Sequence, residues 1–184
     1  ALDAPVDFAS LRGGLADMLG RLHADEGRIE ATFTFFLRKR APVSGAESLL
    51  DYRARLVASA RGGVTTVHAE VVVAAKSLCP CSKEISDYGA HNQRSTVTIR
   101  VEPKVPITWA ELVRFAENAA SSELWPLLKR PDEKWITERA YENPKLVEDL
   151  VRDVALALNE DARVGSYSVD VENFESIHNH SAYA

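Results

Sequence analysis

Residues 50–73 read Leu-Asp-Tyr-Arg-Ala-Arg-Leu-Val-Ala-Ser-Ala-Arg-Gly-Gly-Val-Thr-Thr-Val-His-Ala-Glu-Val-Val-Val. Leu50, Tyr52, Ala54, Leu56 and Ala58 recur at every second position. After the turn signal Gly62-Gly63, Val67, Ala69, Val71 and Val73 do so again. A period of two places one set of side chains on one face of a pleated strand, so the stretch predicts two antiparallel strands covered on one side.

The same pattern extends in both directions. Upstream, Ile29, Ala31, Phe33, Phe35 and Leu37 alternate with Glu30, Thr32, Thr34 and Arg38. Downstream, Val97, Ile99 and Val101 alternate with Thr96, Thr98 and Arg100, and Pro103 and Pro106 close that strand. A last strand runs through Tyr167, Val169 and Val171. Between the strands the period lengthens. Phe8, Leu11, Leu15, Met18, Leu19 and Leu22 mark one helix face, with Gly27 as its expected stop. Thr108 and Glu111 form a capping box opening a helix through Val113 and Phe115. Asn143-Pro144 predicts an N-cap followed by proline at the first helical position, ahead of the stripe Leu146, Val147, Leu150, Val151, Val154 and Leu158. The fold class is therefore α+β, antiparallel sheets with helices packed on one face. The order helix, strand, strand, then strand, strand, helix, helix, strand suggests two related units, 1–62 and 63–184, the first without its opening strands. No repeat is visible residue by residue.

At 184 residues with 46% hydrophobic content the chain can bury a real core. Its longest apolar run, Val71-Val72-Val73-Ala74-Ala75, is far short of the ~18–20 residues that span a bilayer. A soluble, cytoplasmic protein is expected, with no membrane partner. The opening Ala1-Leu2-Asp3-Ala4-Pro5 reads as the interior of a longer chain. A formal charge of −5 argues against general nucleic-acid binding, which rewards basic surfaces, so a phosphate ligand has to meet a local cluster of cations.

The two cysteines, Cys79 and Cys81, flank Pro80. A disulfide across one residue has poor geometry, whereas two thiolates on one side of an extended chain suit a soft metal. His91, twelve residues after Cys79 across a Gly89-containing turn, adds an imidazole in a polar loop. The alternative is that both cysteines are small buried residues. By residue type alone, Glu133 is a solvated carboxylate, Glu148 a helix glutamate at the margin of its apolar stripe, and Glu175, His178 and His180 surface residues. A closed structural metal site wants four protein ligands, while a catalytic one leaves a position for water.

Several long segments resemble one family. Ser77-Leu78-Cys79-Pro80-Cys81-Ser82-Lys83-Glu84-Ile85-Ser86 and Tyr88-Gly89-Ala90-His91-Asn92-Gln93-Arg94-Ser95 are similar to the signature of the type IB GTP cyclohydrolases. So are Lys129-Arg130-Pro131-Asp132-Glu133, Tyr141-Glu142-Asn143-Pro144-Lys145 and Asn173-Phe174-Glu175-Ser176-Ile177-His178-Asn179-His180, in the expected order from the first helix to the tail. The resemblance implies duplicated tunnelling-fold modules, assembled as a homotetramer with active sites at subunit interfaces. The reaction it implies converts GTP and water to 7,8-dihydroneopterin triphosphate and formate, the first step of folate biosynthesis. It further implies that Cys79, His91 and Glu133 hold a divalent metal, zinc or manganese, with Cys81 as an extra ligand or catalytic group. Glu148 would bind guanine, His178 would move protons, and Glu175 would lie close by. Additional N-terminal strands usual in the family do not occur in this chain.

Opening the imidazole ring requires water to add at carbon 8 and protons to reach nitrogen. Histidine, with an unperturbed pKa of ~6.5, is the side chain suited to that proton traffic, and His178 is the candidate. Lys83 and Arg94 flank the metal segment and are the expected triphosphate cations. Two competing readings are a structural zinc domain that binds partners through its sheet, and a nitrile reductase of the queuosine pathway. The first needs four saturated ligands. The second needs a thioimide-forming cysteine and a nicotinamide cofactor.

Overall fold

A computed structural model describes residues 7–184; the reading of residues 1–5 as chain interior lies outside them. Six strands form one antiparallel sheet in sequence order. They are β1 (Gly27–Arg40), β2 (Glu47–Arg61), β3 (Val64–Leu78), β4 (Asn92–Pro103), β5 (Val164–Phe174) and the short β6 (Ala182–Tyr183). The helices are α1 (Phe8–Leu22), α2 (Pro80–Ile85), α3 (Trp109–Ala119), α4 (Arg130–Glu142) and α5 (Val147–Glu160).

The expected alternation is realised. Leu56, Ala58, Val71, Val73, Val97, Ile99 and Val171 are all buried, and their strand neighbours are not. The buried face packs against α1, α3 and α5, whose Leu11, Leu15, Leu112, Val113, Ala116, Leu150, Val154 and Leu158 complete the core. Phe35 is shared between Tyr52 and Trp109 rings at 5.5 and 5.6 Å, so aromatic packing joins β1, β2 and α3. The β2–β3 turn is made by Gly62 and Gly63 at φ 57° and 77°, a left-handed pair that glycine adopts without strain. The expected division at 62/63 falls in this turn, inside one continuous sheet.

Four local expectations change. Helix α1 ends earlier, at Leu22, with His23 in the left-handed region. Gly27 instead opens β1, where a Cβ would come within 2.8 Å of Leu19. Helix α5 starts at Val147, not at Asn143-Pro144. Asn143 caps the end of α4 and spends its amide on the Ala120 carbonyl at 3.0 Å, so Asp149 caps α5 through the Leu146 amide. The chain from Pro80 to Ile85 is a short helix, not an extended run. Helix α4 is the element that periodicity missed, because only Asp132, Ile136 and Ala140 of its thirteen residues are buried.

Beyond the pairing of Arg53 with Val72, β2 and β3 part company. Ser122 takes the vacated edge, exchanging backbone hydrogen bonds with Lys76 at 2.9 and 3.2 Å. This crossover brings the segment before α4 beside the end of β3, where the cysteines begin.

Candidate active site

Cys79 leaves β3 as the N-cap of α2, with Pro80 at the first helical position. Its sulfur accepts the Ser82 amide at 3.4 Å and its carbonyl accepts the Ser82 hydroxyl at 3.1 Å. Ser82 also accepts the His91 amide at 3.2 Å, while the Cys79 amide donates to the His91 carbonyl at 3.2 Å. Two residues twelve apart are thus held together by one backbone hydrogen bond and by Ser82, which bonds to both. Gly89, at φ 130°, makes the reversal between them. Cys79 is half-buried.

Cys81 behaves differently. Two residues apart, both sulfurs are expected on one side of an extended chain, but Pro80 already starts the helix, and Cys81 lies exposed on its first turn. The chain after β5 comes to His91 from the other side. Ser176 Oγ lies 3.2 Å from His91 Nδ1, and Gln93 Nε2 donates to Glu175 Oε1 at 3.4 Å. A ring nitrogen engaged at Nδ1 leaves Nε2 for a ligand, with orientation set by the partner.

The remaining predicted residues are more dispersed. Glu133 is exposed on the first turn of α4 and ion-paired with Arg130 at 2.7 Å. Among the described residues, no three His, Cys, Asp or Glu side chains converge on one point, so Glu133 does not join Cys79 and His91 within the single chain. Glu148 is exposed on the first turn of α5. His178 is exposed in the tail and stacks on His180 at 5.1 Å between ring centres. Lys83 Nζ donates to the Tyr141 carbonyl and sits 4.2 Å from that ring's centre. Arg94 is exposed on β4.

Sequence reasoning missed Ser82, Gln93 and Ser176. Ser82 could have been found as the third helical residue after a cap, but Gln93 and Ser176 carry no spacing signal. Also missed was a polar layer under the site. Ser77 and Ser95 hydroxyls are 2.6 Å apart, Ser95 reaches Asn173 at 2.6 Å, and the Leu78 amide donates to Ser121 at 3.1 Å, all buried. Such a satisfied network fixes the ends of β3, β4 and β5 relative to one another.

Beside the cysteine–histidine pair a cleft of about 550 Å³ opens between the 87–92 loop and the second half of α4. Leu78, Ala90, Asn92 and Tyr141 line it, with Asp87, Glu138 and Glu142 at its acidic side. The donor set fits a soft divalent metal in part, since sulfur and imidazole nitrogen are the ligand types such a metal takes. Two of the three expected ligands are together in one chain.

A family model described as Type I GTP cyclohydrolase folE2 matches residues 1–184. The GTP cyclohydrolase FolE2 of Methylibium petroleiphilum is 62% identical over 208 residues, which covers 98% of this chain and 70% of that protein. GTP cyclohydrolase FolE2 2 of Cupriavidus metallidurans is 61% identical over 181 residues, 98% of this chain and 68% of its own. The Cupriavidus pinatubonensis FolE2 is 60% identical over 181 residues, with 98% and 67% covered. Identity of this order across nearly the whole chain leaves one family, and the chain belongs to the type I GTP cyclohydrolase FolE2 family.

Proposed function

We infer that this protein hydrolyses GTP to 7,8-dihydroneopterin triphosphate and formate, opening folate biosynthesis as a type IB GTP cyclohydrolase. The observation that carries the reading is the family match over residues 1–184, which includes every candidate site residue.

Cys79 and His91 are the residues that would hold a divalent metal, zinc or manganese, with Glu133 as third ligand and Cys81 beside them. A metal bound there would supply a water acidified toward neutral pH. The protein's own groups divide the rest of the work. His178 carries protons to the ring nitrogens, Glu175 lies next to it, and Glu148 accepts the ring N–H and 2-amino group of guanine. Lys83 and Arg94 are the cations expected near the triphosphate.

Assembly belongs to the same proposal. Cys81, Glu133, Glu148 and His178 are all exposed in one chain, so a pocket that excludes water from them needs a second surface. Duplicated tunnelling-fold modules in a cytoplasmic homotetramer, with sites at the subunit interfaces, would supply it. No described helix is long and apolar enough to cross a membrane.

The test is direct. Full-length protein loaded with zinc or manganese is incubated with GTP, and formate is measured together with pterin fluorescence after oxidation. Stoichiometric formate and pterin support the reading; GTP returned unchanged under both metals sinks it.

A further inference from the structure

Gln93 lies in the row of residues between the buried polar layer and the candidate site. On β4 it stands opposite Ser77 of β3, and Ser95, the partner of Asn173, is two residues further along the same face. Cys79 follows Ser77 by two residues and His91 precedes Gln93 by two, while Glu175 follows Asn173 by two and so continues the β4–β5 register to Gln93. Gln93 is 7% exposed. Its Nε2 donates to Glu175 Oε1 at 3.4 Å, and its Oε1 is buried without a hydrogen-bond partner.

The layer beneath is otherwise paired. Ser77, Ser95, Asn173 and Ser121 are bonded to one another or to the Leu78 amide. Among the described residues, the other buried side-chain atom without a partner is Arg139 Nε. The Gln93 amide cannot relieve itself by turning over. A carboxylate only accepts, so the NH2 group has to face Glu175, and a turned amide would bring two oxygens together. A buried acceptor left unpaired destabilises the fold, whereas methionine, of similar length, would fill the space without that loss. Glutamine here is ill suited to packing alone and well suited to holding a carboxylate.

What the hydrogen bond holds is the start of the loop that carries His178. From Ser176 to Ser181 the chain is exposed, and the half-buried Glu175 is the one carboxylate between Phe174 and Ala182. Among the described residues, side chains of this loop hydrogen-bond to the body of the protein at two points, Glu175 to Gln93 and Ser176 to His91. We propose that Gln93 is a positioning residue for the reaction: its amide fixes the Glu175 carboxylate and, through it, the loop on which His178 stands. The proposal deepens the reading of the protein as a GTP hydrolase and rests on that reading for its kinetic effect.

The test uses the full-length, metal-loaded protein. In Gln93→Met, kcat for GTP should fall by about tenfold to a hundredfold, as when a reacting group is displaced, with KM changed by less than about threefold. Bound metal should stay at the wild-type level, and Tm should hold or rise because the unpaired carbonyl is gone. In Glu175→Ala the loss should not grow when Gln93→Met is added, since the two side chains act as one unit. A second readout needs no turnover. With isotope-labelled glutamine, the Gln93 side-chain amide resonance, identified by its absence in Gln93→Met, should shift in Glu175→Ala. A kcat near wild type in Gln93→Met, losses that multiply in the double variant, or an amide resonance indifferent to Glu175→Ala overturns the proposal. A Tm that falls together with kcat marks a packing role and overturns it too. A resonance that shifts while wild type leaves GTP unchanged upholds the tether between Gln93 and Glu175 and rejects the GTP reading.

Discussion

Asp132, on the first turn of α4, accepts the Ser44 amide at 2.8 Å and the Ser44 hydroxyl at 2.6 Å, tying the β1–β2 turn to the helix that carries Glu133. The same carboxylate takes the Val43 amide at 2.9 Å and the Lys129 amide at 2.8 Å. It is fully buried. Burial alone would raise its pKa, but the hydrogen bonds from Ser44, Lys129 and Val43 outweigh it and hold the carboxyl well below the usual range.

Asp132→Ala should therefore strand three backbone donors at once. The expected drop in Tm is roughly 5 °C or more, read by thermal unfolding at neutral pH. A Tm within about 1 °C of wild type would show that the turn and helix are held by other contacts.

Glu111 supplies a pH test. Its carboxylate accepts the Thr108 hydroxyl at 2.6 Å and amide at 2.9 Å, and pairs with Arg163 at 2.9 Å. The Thr108 hydroxyl and amide and then Arg163 bring its pKa down to about 2 from 4.5. Because the folded value lies below the unfolded one, the stabilisation is complete above pH 4.5 and is lost as pH falls through 2. Glu111→Gln should lower Tm at pH 7, and the gap from wild type should narrow steadily in melts taken from pH 4.5 down. A gap of constant size would remove Glu111 from the acid sensitivity.

Cys79→Ala and His91→Ala should each lose most bound zinc or manganese, measured by mass spectrometry of the metal after dialysis, with the circular dichroism of the sheet unchanged. Cys81→Ala, altering an exposed side chain, should keep its metal and lose turnover. Full metal retained in both of the first two variants would take those residues out of the site.

Replacing His178 by alanine should slow GTP turnover by ~100- to 10,000-fold, the usual weight of a proton carrier. His180→Ala should be much milder although the two rings stack. Equal losses would mean that the tail acts only by its shape.

Guanine recognition is tested by substrate choice. Inosine triphosphate lacks the 2-amino donor, so wild type should use it roughly tenfold or more less efficiently than GTP, since an unpaired acceptor costs on the order of 1–3 kcal/mol. In Glu148→Ala both should be poor and the preference should vanish. A preference as strong as in wild type would show that another group reads the base.

The strands were legible because burial repeats every second residue, and the alternation from Ile29 to Leu37 and from Val67 to Val73 survives intact in the structure. The capping box of Thr108 and Glu111 is likewise present, since its partners are three residues apart. Helix α4 was not legible. Its stability comes from Asp132 reaching residues almost ninety positions away, and Ile136 and Ala140 alone make no readable stripe. Asn143 misled for a related reason: its side chain, a good cap by type, is taken by the distant Ala120 carbonyl.

What the sequence determined by itself is whatever depends on near neighbours and periodicity: the covered face of the sheet, the Gly62-Gly63 turn, the cap at Thr108, and the family-like motifs around Cys79 and His91. Tertiary structure decided which of those residues meet. Cys79 and His91 are joined by a backbone hydrogen bond across a reversal, Lys83 is drawn to Tyr141, and Lys76 faces Arg94 because β3 and β4 pair in one register and not another. Register is set by the burial of a whole strand face, and a slip of one residue would turn every side chain to the other side. A cation pair opposite each other is thus a property of two strands at once, and no reading of either strand alone contains it.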